Sequence, residues 1–338
     1  MQPQIEVVCA VCGSAGHRVI CSAEEIAAQL SYLREFHRRR LRLAGEAAEK
    51  ALSDRAAFTQ SYTTEVASCR SCGLVYRESR PPADAITSAY RTDEYGAERL
   101  ASLFDSQYEI ARAKLPRMYE HLAGRPTPAI VEIGSFVGGF LAAAGEIGWR
   151  ATGVDPGREV GDFCRARGLE ILRTTAAEAT VPAGAIDGVA IWNTFDQLPD
   201  PRPTLAAARR WLRPGGLLVV RVPNGACFRS LVRTLRRGPL NLRSLLLSAM
   251  AWNNLLGFPY LWGYSPGPLD RLLSGFGFAR VDLHGDTLTR LADAQTRTWA
   301  RWEEAVLKLG WRATLPLEPG LAPWFDAYYR VVGDSAQS

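Results

Sequence analysis

The middle of the chain alternates short β-branched runs with patterns of helical period. That alternation is typical of a parallel sheet with helices wound over its faces. Helices are predicted at 138–147 and 202–212. The predicted strands, in chain order, are Ala129–Ile133, Ala151–Val154, Leu169–Leu172, Gly188–Trp192 and Leu217–Val222. The pattern therefore predicts an α/β fold.

Both flanks of this region favour helices. Before it, Ser22-Ala23-Glu24-Glu25 has the form of a capping box, and the apolar residues that follow are spaced for one long helix or a helical hairpin. After it, a helical insertion is predicted over 227–256 and a helix over 268–274. Final strands are predicted at 279–283 and 328–332.

Length and composition limit the class of protein. A chain of 338 residues that is 47% hydrophobic can bury a full core, with one or two domains expected. No run of about 18 apolar residues occurs, even within 231–261, so we expect no membrane span, although peripheral membrane contact stays open. The first residues contain no basic region before an apolar run, which indicates a cytoplasmic protein.

The net charge of +5 is modest, but the basic residues are clustered. They gather at Arg34–Arg42 and at Arg229–Arg243. Either cluster could contact phosphate or anionic lipid, and either could instead be the solvated face of a helix.

Two C-x-x-C-G pairs lie about 60 residues apart, at Cys9/Cys12 and at Cys69/Cys72. Four thiolates satisfy a tetrahedral zinc ion, and the glycine after each pair permits a tight turn. Such a site has no open position, so the zinc would be structural and would not activate water. The alternative is a set of free or redox-active thiols without metal.

A glycine-rich turn, Gly134-Ser135-Phe136-Val137-Gly138-Gly139, leads from the first predicted strand into a helix. Glycines let the backbone approach a nucleotide closely, but the same turn serves nicotinamide enzymes, and packing alone can require glycine. Asp155 follows the second predicted strand, where its carboxylate could accept hydrogen bonds from ribose hydroxyls or cap a helix.

Three motifs follow the glycine turn in a fixed order. They are Gly153-Val154-Asp155-Pro156, the segment 191–201 after the fourth strand, and Trp211-Leu212-Arg213-Pro214-Gly215-Gly216. With them, the central half of the chain resembles the class I S-adenosylmethionine-dependent methyltransferases that act on small molecules and glycans. The resemblance implies a Rossmann-like seven-stranded sheet. The expected domains are a zinc-ribbon and helical region at 1–82, the cofactor-binding core at 83–226, and a helical lid insertion with the final strands at 227–338.

The resemblance also implies which residues bind S-adenosylmethionine. Glu132 matches the family's acidic residue that organises the methionine end, and an aromatic residue, Tyr90 or Tyr95, often lies over that end. The expected cofactor-binding residues are Tyr95, Glu132, Gly134, Ser135, Phe136, Gly138, Asp155, Pro156, Ala177, Glu178, Asn193 and Thr194. Two positions depart from the family: Phe136 replaces a frequent glycine, and Ala176 replaces an aspartate, which leaves backbone groups or Glu178 for the adenine.

The general base is not identified by the resemblance, because Gln197 stands where the family has histidine and cannot act as a base. Asp196 is the nearest titratable residue, although it could simply be a carboxylate at a helix N-terminus. Tyr264 is a second catalytic candidate. It ends a segment, 252–264, whose aromatic and amide side chains suit either a substrate pocket or a packed lid.

The leading interpretation is a zinc-ribbon methyltransferase acting on a small molecule: a sugar, glycan or natural-product intermediate. Zinc ribbons precede this fold in sugar methyltransferases and in some ribosomal RNA methyltransferases, so an RNA enzyme is the second interpretation. Asn193-Thr194-Phe195-Asp196 lacks the base-binding N-P-P-F/Y motif, and a nucleic-acid partner is therefore not expected. The third interpretation is a catalytically silent binding or scaffold protein. The oligomeric state stays open.

Overall fold

The described residues form three sheets and eleven α-helices. The computed structural model describes residues 4–56, 62–92, 94–122, 125–288, 291, 295–314 and 319–332. The strands are β1 Ile5–Glu6, β2 His17–Cys21, β3 Val66–Cys69, β4 Val75–Arg77, β5 Ser79–Arg80, β6 Ala129–Ile133, β7 Arg150–Val154, β8 Ile171–Leu172, β9 Ile186–Trp192, β10 Leu212–Pro223, β11 Trp262–Gly263, β12 Phe278–Asp286 and β13 Trp324–Val331. The helices are α1 Ala23–Arg40, α2 Gly45–Ala56, α3 Ala83–Thr92, α4 Ala97–His121, α5 Gly139–Glu146, α6 Arg158–Ala166, α7 Pro201–Trp211, α8 Gly225–Arg237, α9 Arg243–Trp252, α10 Pro266–Ser274 and α11 Thr298–Thr314.

The largest sheet has seven strands in the order β12-β13-β10-β9-β6-β7-β8. The five strands from β10 to β8 pair in parallel. From β6 the chain winds outward through β7 to β8, and then returns to the other side of β6 as β9. In open sheets of this kind, ligands bind where the winding direction reverses, beyond the carboxyl ends of the strands. The predicted seven-stranded α/β fold is confirmed.

Several elements agree with the expectations, and two strands differ in their bounds. β6 has the predicted bounds, and Ser22 caps α1 through a capping box with Glu25. The N-terminal helical segment is a pair of helices, α1 and α2, and the predicted insertion divides into α8 and α9. β8 is shorter than predicted, and β10 begins earlier, with a register shift between Leu212 and Leu217.

The chain packs as two units, each assembled from separate segments. The first unit comprises 1–80, 222–269 and 283–326, and the second comprises 81–221, 270–282 and 327–338. The first contains an antiparallel sheet in the order β11-β4-β3-β2, the pair β1-β5, and an apolar core that joins residues such as Phe36 and Trp252. The second has its core between α4, α5 and the central strands. The three expected domains stay a prediction, because packing does not say which segments fold alone.

No helix among the described residues is both long enough and apolar enough to cross a membrane.

Candidate functional site

The glycine turn after β6 is a tight backbone structure with little room for side chains. Gly134 and Gly138 have φ values of 73° and 76°, in the left-handed region that favours glycine. A Cβ atom on Gly134 would lie 2.3 Å from the Thr194 hydroxyl, and one on Gly138 would lie 2.7 Å from the Leu169 side chain. The turn therefore holds the loop after β9 directly against the end of β6.

Asp155 ties the glycine turn to the start of α6. Its Oδ2 accepts a hydrogen bond from the backbone of Phe136 at 2.9 Å, and its Oδ1 accepts one from Gly157 at 2.9 Å. The N-cap of α6 is Gly157, so Asp155 is not a helix cap. The half-buried carboxylate lies at the carboxyl end of β7, and Pro156 beside it is also half-buried.

Glu132 is the most unusual charge-bearing residue of the second unit. It is fully buried on β6, and neither carboxyl oxygen has a hydrogen-bond partner among the described residues. Burial, and then the negative charge of Asp155, raise the pKa of Glu132 well above its usual value. Since an unpaired buried carboxylate is costly, this side chain favours the neutral form until a cation approaches it.

Phe136 and Ser135 have packing roles in the turn. Phe136 has a φ of 47°, and its ring meets that of Tyr95 edge-on, with 5.2 Å between centroids. Both belong to a small apolar cluster around Leu100 and Val160. Ser135 is fully buried, and a Cβ atom on Gly153 would lie 2.4 Å from its hydroxyl. Their predicted contacts with the cofactor stay predictions.

A chain of hydrogen bonds orders the loop after β9. Asn193 has a left-handed φ of 57°, and its side-chain oxygen accepts a hydrogen bond from Arg221 Nε at 3.1 Å. Gln197 donates to the Asn193 carbonyl at 2.7 Å and accepts from the Tyr90 hydroxyl at 2.9 Å. Thr194 completes the loop against Gly134. Gln197, which lacks the chemistry of a base, here holds both the loop and Tyr90 of α3.

Arg221 was missed by the sequence interpretation. It is buried to 1% exposure within the apolar run of β10, and it bonds to Asn193 across the neighbouring strand end. The sequence did contain a signal for this contact. A charged residue inside an otherwise apolar strand indicates a buried polar partner, because buried charges need partners.

Asp196 is buried to 3% exposure in a single turn of 3-10 helix at Phe195–Gln197. Its Oδ1 has no hydrogen-bond partner among the described residues. Burial raises the pKa of Asp196 to about 7. A carboxyl group with that pKa can both accept and release a proton near neutral pH.

Ala177 and Glu178 are exposed in the turn after β8. The Glu178 carboxylate is paired with Arg91 at 3.1 Å and accepts a hydrogen bond from the Thr174 hydroxyl at 3.1 Å. Hydrogen bonds from Thr175 and Thr174 lower the pKa of Glu178. The carboxylate is therefore already engaged, and its predicted contact with the adenine stays a prediction.

Tyr264 belongs to the first unit, where its ring is fully buried. Its carbonyl accepts a hydrogen bond from the backbone of Gly225 at 2.7 Å. The predicted catalytic role of Tyr264 stays a prediction.

The four predicted cysteine ligands meet in the first unit. Their sulfur atoms all lie within 4.8 Å of one another, with 3.4 Å between Cys9 and Cys72 and 3.5 Å between Cys12 and Cys69. A tetrahedron with Zn–S bonds of about 2.3 Å separates its sulfurs by about 3.8 Å, so the cluster has the dimensions of a zinc site. The cysteines are free and do not form disulfides.

The backbone around the cysteines explains the arrangement. Each pair folds into a tight turn in which the following glycine donates to the first cysteine's carbonyl, and Gly13 and Gly73 have φ values of 69° and 79°. Burial raises the pKa of Cys69, but hydrogen bonds from the backbone of Cys72 and Ser71 outweigh that effect and lower it to about 6.

Comparison with known proteins identifies related sequences and folds. A family model described as a methyltransferase domain matches residues 104–283, just over half of the 338 residues. A comparison with curated proteins gives no match.

Among solved structures, a SAM-dependent methyltransferase from Archaeoglobus fulgidus is 21% identical, with a TM-score of 0.43, over 66% of this chain and 94% of that one. One from Thermotoga maritima is 18% identical, with a TM-score of 0.41, over 69% and 96%. A Haloferax volcanii methyltransferase in complex with the activator Trm112 is 16% identical, with a TM-score of 0.46, over 75% and 99%.

The burial of Asp196 predicts how stability depends on pH. The unfolded chain releases this proton near pH 4, whereas the folded protein keeps it until about pH 7. The folded state therefore binds more protons between these values, and its stability falls as the pH rises through that window. Asp196→Asn removes the effect. We expect the stability of the variant relative to wild type to increase from pH 4 to pH 7, by on the order of 3 kcal/mol.

Urea denaturation at several pH values measures this change. Asp200→Asn, at the exposed N-cap of α7, is the matched control and should not reproduce this increase, because it removes no buried carboxyl group. A constant difference between Asp196→Asn and wild type across the window would show that the carboxyl group ionises as an exposed one does.

Proposed function

The chain belongs to the methyltransferase-domain family and is an S-adenosylmethionine-dependent methyltransferase, and we propose that it methylates a small molecule: a sugar, glycan or natural-product intermediate. The observation that carries the cofactor assignment is the buried, unpartnered carboxyl group of Glu132 on β6, next to Asp155. Glu132 lies in the strand from which the winding direction of the sheet reverses, and Asp155 follows the neighbouring strand β7. The small-molecule assignment is supported by the sequence after β9, where Asn193-Thr194-Phe195-Asp196 replaces the motif that binds nucleic-acid bases.

The residues at this edge fit S-adenosylmethionine. When bound, it supplies a methyl group on a positively charged sulfur. Glu132 would bind the ammonium group of its methionine end, since a cation is what this carboxyl group lacks. Asp155 would accept hydrogen bonds from the ribose hydroxyls with its remaining lone pairs. The other proposed contacts are Tyr95, Gly134, Ser135, Phe136, Gly138, Pro156, Ala177, Glu178, Asn193 and Thr194.

Asp196 is proposed as the general base. Methyl transfer requires an in-line approach of the acceptor, and an acceptor hydroxyl must lose its proton as the new bond forms. The Asp196 carboxylate would take that proton, and its raised pKa suits the exchange near neutral pH. The Tyr90–Gln197–Asn193 hydrogen bonds would keep the loop that carries it in place. Tyr264 is kept as a second catalytic candidate.

Zinc is proposed as a structural cofactor of the first unit. Four thiolates form a closed coordination shell, so a zinc ion there would stabilise the fold and leave no position for substrate. The ligands would be Cys9, Cys12, Cys69 and Cys72, which the sheet β2-β3-β4 brings together.

Cofactor binding can be tested with S-adenosylhomocysteine by calorimetry. We expect saturable binding to the wild-type protein, weakened about 10- to 100-fold in Asp155→Ala by the loss of charge-assisted hydrogen bonds. Asp155→Asn, which keeps one acceptor oxygen for the turn, should bind with intermediate affinity. Asp162→Ala, an exposed aspartate of α6 paired with Arg165, is the control and should bind normally. Equal affinities of Asp155→Ala and wild type would contradict the assignment.

The acceptor class can be tested with S-adenosylmethionine labelled in its methyl group. Added to a fractionated cell extract, the wild-type enzyme should transfer label to the small-molecule fraction.

The same assay tests Asp196 as the base. Because Asp196 must be ionised to accept a proton, the rate of methyl transfer should rise with pH through about 7. Asp196→Asn should lose that rise and about 10²- to 10⁴-fold of the rate at pH 8. Label in the RNA fraction alone would refute the small-molecule assignment, and an unchanged pH profile in Asp196→Asn would refute the base.

The metal assignment predicts about one zinc ion per chain by elemental analysis of protein purified without chelator. Cys69→Ser should lose the zinc and much of the folded protein, because metal binding and folding of such a site are coupled. Cys164→Ser is the control. Cys164 is also buried, but it donates to the Phe136 carbonyl and belongs to neither C-x-x-C pair. Folded wild-type protein without metal would rule zinc out.

A further inference from the structure

A cleft lined with arginine lies between β2 and α8 in the first unit. It has a volume of about 290 Å³. It is lined by Arg18, Val19, Ile20, Arg229, Val232, Arg233, Arg236 and Arg237. A neighbouring cavity of about 430 Å³ shares Arg18 and Arg229 with it and adds Arg70. Neither set of lining residues includes an acidic side chain. We call the two together the arginine cleft.

Local structure explains why these side chains converge. On α8, positions 229, 233, 236 and 237 recur at helical spacing and share one face. Arg18 is exposed on β2, and its side chain lies on the same face of that strand as Ile20, two positions on, which also lines the cleft.

Three of the arginines are held by polar contacts. Arg70 donates to the His17 carbonyl at 2.8 Å. Arg229 donates to the Gly73 carbonyl at 3.1 Å and to the Ser68 hydroxyl at 3.4 Å. Arg236 is paired with Glu25 of α1. For Arg18, Arg233 and Arg237 the described part of the chain offers no acidic partner. Burial, and then the charges of Arg233 and Arg18, lower the pKa of Arg229. The cleft therefore keeps an uncompensated positive charge.

In the other basic cluster of the sequence, Arg34–Arg42, four of the five arginines are paired with carboxylates, and Arg42 donates to the Thr298 hydroxyl at 2.7 Å. Arg34 pairs with Glu49, and Arg38 and Arg39 share Glu35. Arg40 is paired with Glu303 at 2.7 Å. The clusters therefore differ in how many of their arginines have acidic partners, and the arginine cleft presents three described arginines without such a partner, Arg18, Arg233 and Arg237, around a concave surface.

We propose that the arginine cleft binds a diphosphate group, either free or as part of a small-molecule ester. The planar guanidinium group donates paired hydrogen bonds that match phosphate oxygens, and several groups around one cleft suit a ligand with more than one phosphate. The lining residues include no aromatic ring on which a nucleic-acid base could stack, which favours a small ligand over RNA. This inference goes beyond methyl transfer, and its test measures binding alone.

The test uses the 338-residue chain, purified without chelator, with S-adenosylhomocysteine at saturation so that the cofactor site is filled. Inorganic pyrophosphate and ADP are titrated by calorimetry at fixed, low salt. We expect saturable pyrophosphate binding that is weakened about tenfold in Arg233→Gln and in Arg18→Gln, since each removes a charge-assisted hydrogen bond. Arg39→Gln, an arginine neutralised by Glu35, is the matched control and should bind as wild type does. Similar affinities for both probes would indicate recognition of the diphosphate itself, and tighter ADP binding would indicate an ester.

Several results would overturn the proposal. They are the absence of saturable binding of either probe, and an equal loss of affinity in Arg39→Gln and Arg233→Gln. A single-stranded RNA oligonucleotide, or vesicles containing anionic lipid, that bind through Arg233 and are not displaced by pyrophosphate would assign the cleft to a macromolecule instead. Arg233 is exposed and, unlike Arg18, does not line the cavity that contains Cys69, so Arg233→Gln keeps the test valid if Arg18→Gln loses zinc.

Discussion

The parallel pairing of β6 with both β7 and β9 is the constraint on which the candidate site depends. Ile133 pairs with Val154, so the glycine turn and Asp155 follow neighbouring strands at matching heights. Glu132 pairs with Ala190, and Asn193 therefore emerges beyond the same edge. The closeness of Gly134 to Thr194 is a consequence of this register, and a side chain at position 134 would push the two strand ends apart.

The same arrangement carries a cost in stability. Glu132 and Asp196 are carboxyl groups buried without full hydrogen bonding, and burial raises the pKa of both. The unfolded chain releases these protons more readily, so folding is opposed as the pH rises towards neutral. A core selected only for stability would hold apolar side chains there. Phe140, Ala143 and Leu217 supply apolar packing in the same unit, which offsets the penalty. Buried carboxyl groups with raised pKa values are typical of sites that bind a cationic ligand or exchange a proton, as proposed for Glu132 and Asp196.

Local features of the fold were predictable because they depend on residues close in sequence. The bounds of β6, the capping box at Ser22 and the two cysteine turns all follow from spacing within a few positions. The assembly of the first unit from three segments was not predictable, since the apolar face of a helix does not determine which distant segment packs against it. The short β11, which extends the sheet at β4, carries no periodic signal of its own.

In the candidate site, too, the features set by nearby residues were predictable and the long-range contacts were not. Asp155 and the glycine turn were recognised from their order along the chain, and the structure brings them into hydrogen-bond contact. The bond of Arg221 to Asn193 depends on strand order, and the pairing of Glu178 with Arg91 depends on how α3 packs. Neither of these two contacts could be predicted from the order of residue types along the sequence.

The two basic clusters make the clearest case. Arg40 is neutralised by Glu303, more than 260 positions away, so counting charges along the chain could not separate the clusters. Glu25 of α1 is the acidic residue in contact with α8, and its carboxylate forms an ion pair with Arg236. The repulsion left among Arg18, Arg229 and Arg233 costs free energy in the absence of a ligand. An anion bound there would remove that cost and stabilise the folded state in proportion to its occupancy.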